Sequence, residues 1–253
     1  EAIAQRQLVL PGLAFEFVFE DVETLNEMAA RQELDIVKIS YANFVHVSQH
    51  YVLLKSGGAL GKGVGPLLIS KTVLNPADLG NVKVAIPGLH TTANFLLSFA
   101  VPESKSKKAY RFDQIEDAVI SGEVSAGVII HENRFTYAEK GLHKIMDLGS
   151  CWESATGLPI PLGGIAIRRT LPSKVQQQVN DLIAASIEWA DRRPQKITPF
   201  IRSHAQEMDE TVMQKHIELY VNSFSKDVGK EGLQAVNKMC EVLKWPFTQP
   251  IFI

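Results

Sequence analysis

Short apolar runs alternate with helical patterns through the first half of this chain, and that alternation narrows the fold more than any single motif. Residues 13–19 place Phe15, Phe17 and Phe19 at every second position, the spacing of a strand. Residues 20–31 then carry Val22, Leu25, Met28 and Ala29 at helical intervals. Residues 35–39 predict a short strand running into Ser40, residues 41–50 a helix, and residues 65–70 another strand. Asn75-Pro-Ala-Asp-Leu-Gly80 reads as a turn with a short helix, and residues 82–86 as a strand. Pro87-Gly88 breaks that strand ahead of a helix that begins near Thr91. Residues 117–122 read as the end of a helix, and residues 126–130, small and β-branched, as a buried strand. This order predicts an α/β protein with largely parallel sheets.

The pattern changes after Gly163-Gly164. Residues 165–168 read as one strand, and residues 171–243 are almost wholly helical in pattern, with 175–189 the longest helix and 211–224 another. We therefore expect two lobes joined by crossover strands near Lys71 and near Gly164. The first, discontinuous lobe would hold residues 1–70 and 165–253, and the second residues 71–164. This is the architecture of a two-lobed type II periplasmic-binding-protein-like fold, with its ligand cleft between the lobes and hinge closure over the ligand.

With 253 residues, 45% of them apolar, the chain can bury a substantial core. Its formal charge of −2, with both signs mixed, leaves no electrostatic footprint for nucleic acid or an anionic membrane. Two distant cysteines, Cys151 and Cys240, argue against a disulfide scaffold and fit a reducing compartment. No apolar run reaches the ~18 residues of a membrane span. The first residues read as the tail of a helix, so the natural start is expected upstream of Glu1.

The strand 126–130 ends on His131, within Gly127-Val-Ile-Ile-His131-Glu132. Ligands of open α/β sheets bind outside the carboxyl ends of the strands, and an imidazole suits proton transfer near neutral pH. The plainer alternative is a histidine that only satisfies local backbone groups. Lys38-Ile39-Ser40 occupies the matching strand end in the first lobe, as a ligand grip or as an ordinary cap beside a solvated lysine. Thr91, Thr92 and Ala93 sit where a helix begins. Their exposed N–H groups can hold a ligand oxygen, or a threonine can simply cap them.

The loop Gly57-Gly58-Ala59-Leu60-Gly61-Lys62-Gly63-Val64-Gly65-Pro66 fails as a phosphate loop, because its spacing is too short and Gly63 follows Lys62. Its glycines read as well as a tight approach to a crossover strand. His46 and His50, four residues apart, could face one metal, but no third ligand is apparent. His143, His204 and His216 likewise show no ligand spacing, so all five are read as surface or packing residues.

Taken in order, several motifs resemble the 1,4-dihydroxy-6-naphthoate synthases of the futalosine route to menaquinone. They are Glu20-Asp-Val-Glu-Thr-Leu-Asn26, Tyr51 through Ser56-Gly-Gly-Ala-Leu-Gly61, Gly63-Val-Gly-Pro66, His90-Thr-Thr-Ala93, Gly127-Val-Ile-Ile-His-Glu132, Arg134-Phe-Thr-Tyr137, Thr156-Gly-Leu-Pro159 and Tyr220-Val-Asn-Ser-Phe-Ser225. The resemblance implies a cytoplasmic lyase that makes 1,4-dihydroxy-6-naphthoate from cyclic dehypoxanthinylfutalosine without metal or organic cofactor. It implies His131 as general base, and substrate contacts at Lys38, Ile39 and Ser40 in one lobe and at Thr92 and Ala93 in the other; Thr91, at the same helix start, is counted with them as a candidate contact. The partner is then a small-molecule substrate, with no nucleic acid and no membrane. The family's opening strand and its Ser-Pro-Cys-Pro-Asn-Asp-type loop have no counterpart in these residues. The alternatives are a non-enzymatic receptor for a small organic acid and the related chorismate dehydratases, against which the His131 segment argues.

Overall fold

The computed structural model describes residues 1–193, 197–205, 209–246 and 248–253. Helix α1 (Val22–Ala30) starts where the Asp21 carboxylate accepts hydrogen bonds from the N–H groups of Glu23 (2.9 Å) and Thr24 (3.2 Å). Its buried residues Leu25, Asn26 and Ala29 pack it on strand β1 (Ile36–Ser40). The helix expected over residues 41–50 is shorter than its pattern. A 3₁₀ turn, Tyr41–Asn43, leads into the single turn of α2 (Phe44–Val47) before β2 (Tyr51–Leu53) and β3 (Ala59–Gly61).

The chain then enters a second sheet. It runs through β4 (Leu67–Ser70), β5 (Val84–Ile86), α3 (Thr92–Ala100), β6 (Lys107–Ala109), α4 (Ile115–Ile120) and β7 (Ala126–Ile129). It continues with α5 (Asn133–Thr136), β8 (His143–Asp147) and α6 (Leu148–Thr156), and returns to the first sheet as β9 (Ile160–Arg168). Helices α7 (Ser173–Asp191), α8 (Pro199–His204), α9 (Glu210–Tyr220), α10 (Ser223–Lys226) and α11 (Gly229–Val242) follow.

The sheets correct the parallel expectation. In the first, β1, β2 and β3 all pair antiparallel with β9. In the second, ordered β6-β5-β7-β4-β8, only β5–β6 and β5–β7 are parallel. Every antiparallel pairing involves β4 or β9, the strands that arrive from the other sheet. A strand entering from across the cleft runs against neighbours that began on the far side.

The crossings also lie ahead of their expected places, between Gly61 and Leu67 and between Thr156 and Ile160. Gly163 and Gly164 are not a break. They sit inside β9, where a Cβ on Gly164 would stand 2.7 Å from the Tyr41 ring and one on Gly163 2.9 Å from the Ile39 carbonyl oxygen. Their role is close packing.

Residues 13–19 form no strand and pair with none among the described residues. Their period-2 pattern survives as ring contacts instead, with Phe15–Phe17 and Phe17–Phe19 centroids 6.4 and 6.2 Å apart. Alternation alone does not specify a hydrogen-bonded neighbour.

At the first crossing a Cβ on Gly65 would lie 2.6 Å from the backbone nitrogen of Gly149. Backbone on both sides cannot yield as a side-chain tip would. Gly65→Ala should therefore cost about 1–3 kcal/mol by overpacking, read as a lower urea midpoint at unchanged m-value.

Candidate active site

The carboxyl ends of β1 and β7, the start of α3 and one face of α9 border a cleft of about 870 Å³. Lys38, Ser40, Thr91, Thr92, Ala93 and His131 all line it. Ile39 does not, because strand geometry turns its side chain to the opposite face, where it is wholly buried in the core. Any contact it makes to a ligand runs through its backbone.

His131 follows β7, whose four residues are all buried. Its backbone has φ +57°, in the left-handed region that non-glycine residues rarely occupy. Such a conformation costs on the order of 1–3 kcal/mol and persists where its surroundings enforce it. Two residues further on, Asn133 donates its Nδ2 to Glu116, a buried carboxylate that also accepts from Lys140 Nζ, each at 2.6 Å. It fastens the α5 turn immediately after His131. Phe112 closes one side of the imidazole at 5.2 Å between ring centroids.

Burial pushes the His131 pKa down to about 3, and the charges of Lys38 and His216 push the same way. The ring is therefore a neutral proton acceptor at pH 7. Lys38 makes no ion pair among the described residues, and the surrounding protein lowers its pKa by desolvation even though solvent reaches it through the cleft. An ammonium so placed suits an anionic ligand.

Neighbours fix the two grips. Ser40 N–H donates to Asn26 Oδ1 at 2.9 Å, and Asn26 Nδ2 donates to Ser40 Oγ at 3.3 Å. Thr91 caps α3, accepting from Asn94 N–H at 3.2 Å and donating to the Gly88 carbonyl at 2.9 Å. Thr92 Oγ donates to the Leu162 carbonyl of β9 at 2.7 Å and accepts from Ala42 N–H at 3.3 Å. Its hydroxyl proton is thus committed to a clasp between the two sheets' segments. The groups left for a ligand are the N–H donors of Thr92 and Ala93, which make no hydrogen bond among the described residues.

Sequence spacing missed His216. Helix α9 sets its ring 5.9 Å from that of His131 and 4.7 Å from that of Tyr220. Burial and the Lys38 charge push its pKa to about 4. His131, Glu132 and His216 each bring one ligand-type atom within 4.8 Å of the others, a set that could hold a divalent ion. The Lys38 ammonium, close enough to depress both imidazoles, opposes a cation there. His46 stands edge-on to His90 at 5.6 Å, outside that cluster.

Two α/β lobes with a ligand cleft between them define a type II periplasmic-binding-protein-like fold, and solved structures agree. The protein AF1704 from Archaeoglobus fulgidus superposes with a TM-score of 0.88 at 32% identity, covering 96% of this chain and 91% of that one. The aliphatic sulphonate binding protein SsuA from Escherichia coli shares the fold at 0.60 and 15% identity, over 92% and 79%. The chain belongs to the menaquinone-biosynthesis family, which it matches over residues 3–244. It is 43% identical over 241 residues to the 1,4-dihydroxy-6-naphthoate synthase of Thermus thermophilus, covering 93% of this chain and 88% of that protein. The Streptomyces coelicolor enzyme of the same name is 42% identical over 233 residues, covering 90% and 82%.

The depressed imidazoles carry a sign for stability. Below about pH 6.5 the unfolded chain protonates its histidines while the folded His131 and His216 stay neutral, so stability falls as pH falls toward about 4. Between about pH 7 and about pH 5 both folded rings stay neutral and contribute nearly equally, so His131→Gln removes about half of the effect. Its melting temperature should drop less than the parent's between about pH 7 and about pH 5.

Proposed function

We propose that this chain is a lyase of menaquinone biosynthesis that converts cyclic dehypoxanthinylfutalosine to 1,4-dihydroxy-6-naphthoate, with His131 as its general base. The observation that carries the assignment of the base is a neutral, half-buried imidazole held at a strand end over a cleft whose far wall presents an unpaired ammonium. Family membership and the two named relatives support the pathway and the product.

His131 removes a proton from the cyclic substrate, the bond to the sugar-derived fragment opens, and the remaining ring becomes aromatic. A pKa of about 3 in the free protein is low for a base that works near neutrality. A substrate carboxylate beside Lys38 corrects part of this, because it cancels one of the charges that depress the imidazole. Binding thus raises the basicity of His131 only when the substrate is in place. The N–H groups of Thr92 and Ala93 hold a substrate oxygen at the positive end of α3. No helix among the described residues is long and apolar enough to cross a membrane.

The test is a product assay with cyclic dehypoxanthinylfutalosine, following the naphthoate by chromatography and mass. The parent should turn over, and His131→Ala should lose ~10²–10⁴-fold in kcat while still binding substrate. Tight binding with no turnover by the parent would leave a solute receptor in place of an enzyme.

A further inference from the structure

The described residues contain few buried side-chain polar atoms without a hydrogen-bond partner, and one of them belongs to a side chain that lines the cleft: Nε2 of His216, which lies just beneath the cleft surface. The nearest acid to it is Glu132, whose Oε2 stands 4.0 Å away, beyond hydrogen-bonding distance. We propose that His216 is a second catalytic residue, a neutral imidazole whose Nε2–H binds the substrate oxygen that gathers negative charge while His131 takes the proton. The proposal rests on the reading of His131 as the base.

Three features support that role. Helix α9 belongs to the C-terminal helical return, whereas His131 ends a strand of the second sheet, so the pair forms only where these segments meet across the cleft. The Glu132 carboxylate on the Nε2 side favours the tautomer with its proton there, making that nitrogen a donor. The Lys38 charge and burial keep the ring from becoming an imidazolium. A neutral imidazole can donate to a developing oxyanion without giving up its proton altogether. A donor aimed in advance at developing charge needs no rearrangement during the step.

The step balances. One substrate C–H proton passes to His131, and the electron pair of that bond delocalises onto the oxygen facing His216. The pair then returns from that oxygen as the bond to the fragment breaks, and the fragment leaves with the bonding electrons and takes the proton from the His131 imidazolium. Neither oxidant nor reductant is needed.

His216→Phe keeps an aromatic ring against Tyr220 but removes the donor, and His216→Gln restores an N–H near the Nε2 position. With cyclic dehypoxanthinylfutalosine as substrate, the Phe variant should lose ~10²–10³-fold in kcat, the usual effect of deleting one such donor. Its KM and melting temperature should stay near the parent's, and the Gln variant should recover part of the loss. Parental kcat in the Phe variant, or equal losses in both variants, would overturn the role of His216 and leave His131 standing. A parent without turnover would remove the reading of the base and this inference with it.

Discussion

Strand β9 is the constraint on which the rest of the site depends. All three other strands of the first sheet pair with it and with no other named strand of that sheet. Its register places Ile39 opposite Gly164 and Ser40 opposite Gly163, while the carbonyl of the next residue back, Leu162, accepts the Thr92 hydroxyl. One strand therefore sets the spacing between the β1 grip and the α3 grip. The two glycines make this approach possible, since a Cβ at either would meet backbone or the Tyr41 ring. A shift of one residue in this register would turn Lys38 and Ser40 away from the cleft.

The electrostatics of the cleft follow from burial more than from pairing. Two imidazoles and an ammonium border one cleft. Desolvation by the protein holds both imidazoles neutral and lowers the pKa of the Lys38 ammonium, whose charge in turn disfavours protonation of either ring. On the proposed reading, an anion beside Lys38 would offset the charge that acts on both rings, while desolvation, the larger cause of their depressed pKa values, would remain.

Much of this was legible from sequence where a local rule applied. The strand ending at His131, the Thr91 cap and the long C-terminal helix follow from apolar runs, a polar cap residue and helical periodicity. The antiparallel sheets did not follow, because strand direction depends on which lobe a strand arrives from, and periodicity carries no such information. The same gap hid the crossings, since Leu67–Ser70 and Ile160–Arg168 look alike whichever sheet they join. His216 was hidden for another reason. Its neighbours on α9 supply an ordinary amphipathic pattern, and its partners His131 and Glu132 lie far away in the chain.

Backbone strain at His131 has a physical rationale. Glycine would adopt φ +57° without penalty, yet glycine carries no imidazole. The turn is needed because a β-strand continuing past Ile129 would keep alternating its side chains between the two faces of the sheet. A left-handed residue bends the chain out of the sheet and lifts the ring over the strand end. The Glu116 anchor to Asn133 and Lys140 offsets part of that cost from below, with one lysine-to-carboxylate ion pair on a buried acid. Its other oxygen, Oε1, has no hydrogen-bond partner among the described residues, so the anchor is incompletely satisfied there. Strain and an unsatisfied acid thus sit on adjacent elements, and the stability given up there holds the imidazole where the cleft can use it.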